Sequence, residues 1–301
     1  MQNKASSLRK SLDAFLRERQ IDAGMDQNLI KEAIHLHLLS AMSGAGILRH
    51  AIFQDGTALR LCYGGERYSE DLDFVCGKAG SYFADIEFDR LVDAALDTTR
   101  QTLKLDFDIA PDQIALKRPT HPNAIRQDTV AVAAWQIIVP VEPTPRAPKS
   151  RVKIEFANVP DYDARPTVAR ATQGLAAVED VILSVESTGE ILADKAVALT
   201  ARPVFKFRDV WDVWYLRNRL DAKIDGNLVH QKFKDYGTTE IETKARERVG
   251  QLSLPATKNA FIAEIKRFLP AKRLSQIEET NLHHAMLAAS GDLLRQAVLP
   301  S

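Results

Sequence analysis

The chain has 301 residues, 45% hydrophobic and 27% charged, with 40 basic against 40 acidic side chains. That length fits one large domain or two ordinary ones, with apolar residues enough for a core that needs no staple. A formal charge of zero excludes a chain that attracts nucleic acid as a whole, and only two cysteines, Cys62 and Cys76, exclude a disulfide framework or a thiolate zinc site.

No apolar run approaches the roughly 20 residues that span a bilayer. Met1-Gln2-Asn3-Lys4-Ala5 lacks the apolar stretch of a signal peptide. A cytoplasmic protein with no membrane partner is the expectation.

In chain order, Ser6 to Arg19 and Asn28 to Met42 read as amphipathic helices. His50 to Gln54 reads as a short buried strand, and Thr57 to Tyr63 as a short helix closed by Gly64-Gly65. Asp71 to Cys76 reads as a strand and Ile86 to Thr102 as a helix. Leu103 to Ile109 alternates strictly, which predicts a half-buried strand. Val130 to Val139 and Arg151 to Ala157 are further strands, separated by Pro140, Pro143, Pro145 and Pro148. Val181 to Val185 is a short strand. Thr188 to Ala201 and Phe205 to Arg219 are helical, and the rest is polar and helical, with breaks near Gly226, Gly237, Pro255 and Pro270. The change in character sets a boundary: a first domain over 1–185 and a helical second one over 186–301.

Asp71 and Asp73 are two apart, so on a strand both carboxylates face one side while Leu72 and Phe74 face a core. Two like charges held so close call for a cation between them, and magnesium prefers such hard oxygen donors. Gly56-Thr57 follows a strand and opens a helix, where backbone N–H groups favour phosphate. Gly56 permits close approach and the Thr57 hydroxyl adds a donor. Glu155 faces the same way as Arg151 and Lys153, opposite Val152, Ile154 and Phe156. Should this strand lie beside Asp71 and Asp73, the three carboxylates make a metal cluster. Each piece alone also has a plain reading: a solvated surface, a helix cap, a cross-strand ion pair. From Lys117 to Arg170 nine basic residues face five acidic ones. That excess is either a solvated loop face or a basic groove.

At these residues the sequence resembles the nucleotidyltransferase fold and, within it, the AbiEii toxin family of abortive-infection and toxin–antitoxin systems. The family pattern Gly-Gly-Thr-x-Leu appears as Asp55-Gly56-Thr57-Ala58-Leu59. Its Arg-Phe/Tyr-Ser-x-Asp-x-Asp appears as Arg67-Tyr68-Ser69-Glu70-Asp71-Leu72-Asp73. A later acidic residue is matched by Glu155, a helical lysine by Lys195, and Arg-Asp-x-x-Asp by Arg208-Asp209-Val210-Trp211-Asp212. The resemblance runs from about residue 45 to 216. It implies a mixed α/β core, with a mixed sheet flanked by helices, and an α-helical C-terminal region. It implies nucleotidyl transfer from a nucleoside triphosphate to RNA, with the 3′ acceptor end of tRNA as the expected target and a block of translation as the outcome. Asp71 and Asp73 would bind Mg²⁺ with Glu155. Gly56, Thr57, Ser69 and Arg67 would surround the triphosphate. Lys195 would neutralise phosphate or orient the nucleotide, Arg208 would contribute to nucleotide binding, and Asp209 would complete the pocket by fixing a basic group or the nucleotide. A cognate antitoxin is an implied partner. The other readings are transfer to a protein hydroxyl and a non-catalytic, partner-binding module.

Asp55 departs from the family's first glycine. It either caps the helix from Thr57 or stands where glycine is needed for a positive φ or a close approach. Ser69 lies two residues before Asp71, and a phosphate there would add about −1.5 to −2 charges beside the metal cluster. Arg208 and Asp212 have the spacing of an ordinary helical ion pair. Trp211 and Trp214 read as core residues. His35, His37, His283 and His284 form no metal set by their spacing.

Overall fold

The computed structural model describes residues 8–19, 25–77, 86–118, 130, 132–141, 148–170 and 174–299. The expected helix start at Ser6, and Pro143 and Pro145, lie outside the described residues. The described chain divides into two units. One lies within Met1–Arg126 and Ala131–Val185, the other within Gln127–Val130 and Glu186–Ser301.

Alternating apolar residues organise the first unit. Its strands are β1 (Ile52–Gln54), β2 (Leu72–Val75), β3 (Ala115–Lys117), β4 (Val132–Pro140), β5 (Lys149–Ala157), β6 (Ala164–Ala169) and β7 (Val181–Glu186). They form one 7-stranded sheet in the order β3-β4-β5-β2-β1-β7-β6. It is mixed: β2 pairs parallel with β5 and β1 parallel with β7, while β1–β2, β4–β5 and β3–β4 are antiparallel. The helices are α1 (Leu8–Arg19), α2 (Asp26–Gly44), α3 (Asp55–Cys62) and α4 (Ile86–Phe107).

An aromatic row crosses the middle of the sheet. Phe53 pairs in register with Phe74, and Phe74 with Phe156. The ring centroids are 5.0 Å and 5.1 Å apart. Phe88 of α4 and Trp135 of β4 meet Phe156 edge-on at 5.0 Å and 5.6 Å. All five rings are buried. Such pairs add about 0.5–1.5 kcal/mol each beyond their buried area. Cys62 and Cys76 are free, and burial pushes both thiols up to about 12.

Within the expected strand over Leu103–Ile109, residues Leu103 to Phe107 are instead the end of α4, and Asp108 and Ile109 follow it. Leu96, Leu103 and Phe107 are spaced seven and four apart and all are buried, whereas Leu105 is 82% exposed. The helical period buries a better apolar face than the alternation does. Strands β3 and β6 were not expected. Both are short edge strands, β3 with no buried residue and β6 with only Ala169 buried.

The second unit carries α5 (Thr188–Ala201), α6 (Phe207–Asn218), α7 (Gly226–Asp235), α8 (Ile241–Leu252), α9 (Pro255–Ile265), α10 (Ala271–Glu279) and α11 (Leu282–Ala297). Ser187 caps α5 by accepting from the Glu190 N–H, and Asp225 caps α7 by accepting from Asn227 and Leu228. Helix α5 packs against α6, α7 and α8. Trp211 and Trp214 are buried within this unit, with the Arg273 guanidinium over both rings.

A charged group lies buried where α5 meets α7. The Lys232 ammonium is 3.1 Å from Glu186, 2.6 Å from Glu190 and 3.0 Å from Asp194. Burial alone would lower the Lys232 pKa, but the three carboxylates hold it above the usual range. Burial, then the Asp194 charge, raises Glu186 well above the carboxylate range. Burial also raises Asp194, against the pull of Lys232. The Glu186, Glu190 and Asp194 carboxylate oxygens all lie within 4.8 Å of one another, so their charges repel and favour a proton on Glu186.

A carboxyl raised in the folded state contributes stability that is fully present below its unfolded value, near ~4.3. That stability is lost as pH rises through the folded value. Glu186→Gln keeps the shape of the side chain and removes its titrating carboxyl. Urea denaturation is therefore expected to show a smaller loss of stability between pH 5 and pH 8 in this variant than in the wild type. An unchanged pH slope would argue against a raised Glu186.

Candidate functional site

The first unit gathers most of the expected site on one sheet face. Asp73 pairs in register with Gln54 on one side and Glu155 on the other. Asp71 stands just before β2, and its Oδ1 accepts from the Lys153 backbone N–H at 3.0 Å. Leu72 and Phe74 enter the core on the opposite face. The strand carrying Glu155 is thus beside the Asp71–Asp73 segment, and the three acids share one side.

Their oxygens do not all lie within 4.8 Å of one another. Asp71 leans to the Lys153 N–H, and Glu155 meets the Lys153 ammonium at 3.5 Å. Lys153 was not singled out in the sequence. Its signal was the same-face alternation Arg151, Lys153, Glu155. The donor chemistry fits a hard divalent cation, three carboxylates on one face with two of them on neighbouring strands. Closing them on one ion requires Glu155 to leave Lys153.

Helix α3 opens beside these acids. It begins at Asp55 rather than Thr57, and Gln54 holds the cap position without a side-chain cap bond. Asp55 has φ +63°, in the left-handed region that favours glycine. The capping reading is therefore corrected: Asp55 is the first helical residue and takes the backbone conformation for which glycine is suited. At Gly56 a Cβ would overlap the Arg67 guanidinium and press on the Ser69 hydroxyl. The missing side chain brings Arg67 and Ser69 against the helix start. Cationic Arg67 adds to the positive end of the helix dipole there. The Thr57 hydroxyl donates to the Asp71 carbonyl, which ties the helix start to the acidic strand.

Helix α2 holds the approach to this strand. Lys31 pairs with Glu70 at 2.6 Å. His35 Nε2 lies 3.1 Å from the Glu70 carbonyl, and since a carbonyl only accepts, Nε2 carries the proton. Burial pulls His35 down to about 4, so the ring is neutral at pH 7. Glu32 pairs with Arg60 at 2.8 Å, and Arg60 lies 4.2 Å from the Tyr68 ring centroid. None of these supports was expected, because each spans a long separation in sequence.

Lys195, Arg208 and Asp209 belong to the second unit. Lys195 is 2% exposed and lies 2.8 Å from Asp209 and 2.7 Å from Asp212. Asp209 also pairs with Arg202, a side chain 35% exposed. Asp212 therefore shares the lysine of α5. The Arg208 guanidinium lies 6.0 Å from the Phe268 ring centroid, and the Arg208 N–H donates to Glu264 at 3.3 Å. A second acidic set, Glu186, Glu190 and Asp194, has oxygens within 4.8 Å of one another, but the Lys232 ammonium is bound there.

The family described as "Nucleotidyl transferase AbiEii toxin, Type IV TA system" matches residues 37–280. No curated protein matches the chain. A solved structure assigned as a nucleotidyltransferase from H. pylori is 17% identical, with a TM-score of 0.48, covering 90% of this chain and 97% of that one. The structure of JHP933 from Helicobacter pylori is 15% identical, with a TM-score of 0.47, covering 90% and 94%.

The left-handed Asp55 gives a direct test of the helix start. An L-residue there costs about 1 kcal/mol relative to glycine, partly offset by glycine's freedom in the unfolded chain. Asp55→Gly is expected to stabilise the protein by roughly 0.5 kcal/mol and raise the thermal midpoint by about 1–2 °C. A lower midpoint would contradict the assigned backbone conformation.

Proposed function

Because the chain belongs to the AbiEii nucleotidyl transferase toxin family of type IV toxin–antitoxin systems, and so is a nucleotidyltransferase, we propose that it moves a nucleotide from a nucleoside triphosphate onto RNA with Mg²⁺, and that the 3′ end of a tRNA is the acceptor. The observation that carries the reading is the register of Asp73 with Glu155, with Asp71 on the same face. We assign these three residues to the metal and the α3 start, with Gly56, Arg67 and Ser69, to the triphosphate. Bound Mg²⁺ would supply charge neutralisation of phosphate oxygens and favour the ionised acceptor hydroxyl.

The protein's own groups position and neutralise. Arg67 meets the developing charge on the departing pyrophosphate. Thr57 holds Asp71 against the helix start, so metal donors and phosphate donors move as one piece. In the second unit, Lys195 acts through Asp209 to fix Arg202 as the more exposed cation. Catalysis of this kind is positioning and electrostatics rather than covalent chemistry. The family also supports a cognate antitoxin as a partner.

The test is incubation with each labelled nucleoside triphosphate, Mg²⁺, total RNA and cell lysate. Label on tRNA is expected, and Asp71→Ala is expected to lower it at least about 100-fold with the fold intact by circular dichroism. Label on protein alone would move the acceptor to a protein hydroxyl. Full labelling by Asp71→Ala would remove the metal assignment.

A further inference from the structure

The face of the sheet that bears the carboxylates does not end with them. Register places Lys117 of β3 opposite Gln136 of β4, and Gln136 opposite Lys153 of β5. One row further on, Ala115 faces Ile138, and Ile138 faces Arg151. Lys149, opposite Pro140, adds a third step. Residues paired in register point to the same face, and alternate residues share it. Lys117, Lys149, Arg151 and Lys153 therefore line one face and all are exposed. The opposite face holds Val152, Ile154 and Ile137, which are in the core.

The charge on this face is one-sided. In β3, β4 and β5 the one acidic residue is Glu155. Among the described residues, Lys117, Lys149 and Arg151 have no ion-pair partner. Arg118, next in the chain, faces away into a pair with Asp93 at 2.9 Å. Neighbouring strands stand about 4.8 Å apart and alternate residues about 6.7 Å apart. The four cations thus cover a strip on the order of 10 Å by 14 Å. It runs directly into Asp71 and Glu155.

We infer that this strip, Lys117, Lys149, Arg151 and Lys153 on the open face of β3 and β5, is the docking surface for the phosphodiester backbone of the acceptor RNA. The inference rests on the proposed transfer to RNA and deepens it. A polyanion matches a strip whose cations are exposed and whose one carboxylate belongs to the reaction site. Lysine and arginine at such positions neutralise phosphates and release counterions without reading sequence. The strip gathers four of the nine basic residues of the 117–170 segment, and puts the RNA backbone beside the acids that meet its terminal hydroxyl.

The test measures binding of a 5′-labelled tRNA to the full chain by fluorescence anisotropy across NaCl concentrations. The variants are Lys117→Gln, Arg151→Gln and the double variant, which spare the assigned metal and nucleotide ligands. Each lost phosphate contact lowers the salt slope by about 0.7 and affinity at 150 mM salt by about fourfold. The double variant is expected to lose about 15-fold, with a slope lower by about 1.4. Binding of a fluorescent nucleoside triphosphate is expected to be unchanged, and Arg151→Lys to restore the slope that Arg151→Gln loses. Wild-type affinity and slope in the double variant would overturn the inference while leaving RNA transfer standing. A wild type that labels protein and binds no tRNA would overturn the acceptor itself. In that case, loss of protein labelling in the double variant would assign the strip to a protein partner, again against the inference.

Discussion

The register of three adjacent strands decides where the candidate acids sit. Phe53, Phe74 and Phe156 form one buried row across β1, β2 and β5. The residues next to them in the chain, Gln54 after Phe53 on the antiparallel β1 and Asp73 and Glu155 before Phe74 and Phe156, form the next row on the opposite face. A slip of one residue in β2 would send Asp73 into the aromatic core and Phe74 into water. Burying an unpaired carboxylate costs several kcal/mol, and so does exposing the ring. The core therefore enforces the alignment of the acids. A cluster of like charges is unfavourable by itself. It persists because the packing behind it allows no other register.

Polar contacts then join the flanking pieces to this frame. Thr57 ties the α3 start to Asp71, and Lys31 and His35 hold Glu70 from α2. In the second unit, neighbouring residues of α5 serve two networks. Asp194 joins Lys232 of α7, and Lys195 joins Asp209 and Asp212 of α6. Removing one partner of such a buried pair leaves an uncompensated charge, at a cost of about 3–5 kcal/mol. Loss of activity on replacing Lys195 is thus inseparable from loss of structure unless stability is measured beside it.

Much of the arrangement of the candidate site was legible because its signals are local. The Asp71–Asp73 spacing, the alternation through Glu155 and the Gly56-Thr57 turn each depend on a few residues and a period of two. Asp55 was visible as the irregular residue, but its backbone conformation was not. A capping aspartate and a left-handed aspartate look alike in sequence. Leu103–Ile109 misled because its alternation also places Leu103 and Phe107 four apart, and the preceding helix extended into it. Strands β3 and β6 were missed because short, exposed edge strands carry little apolar pattern. Lys153 and the α2 contacts were hidden by distance: Asp71 and Lys153 meet across 82 residues. The parallel pairing of β2 with β5 is likewise a tertiary fact, set by the aromatic core.

The central claim is that β2 and β5 together present one metal site. Crystals grown with Mn²⁺ and a non-hydrolysable nucleoside triphosphate test it through anomalous diffraction. The account predicts a peak among Asp71, Asp73 and Glu155, with the Lys153 ammonium drawn away from Glu155. An ordered nucleotide with no peak there, or a peak held instead by Glu186, Glu190 and Asp194, would contradict it.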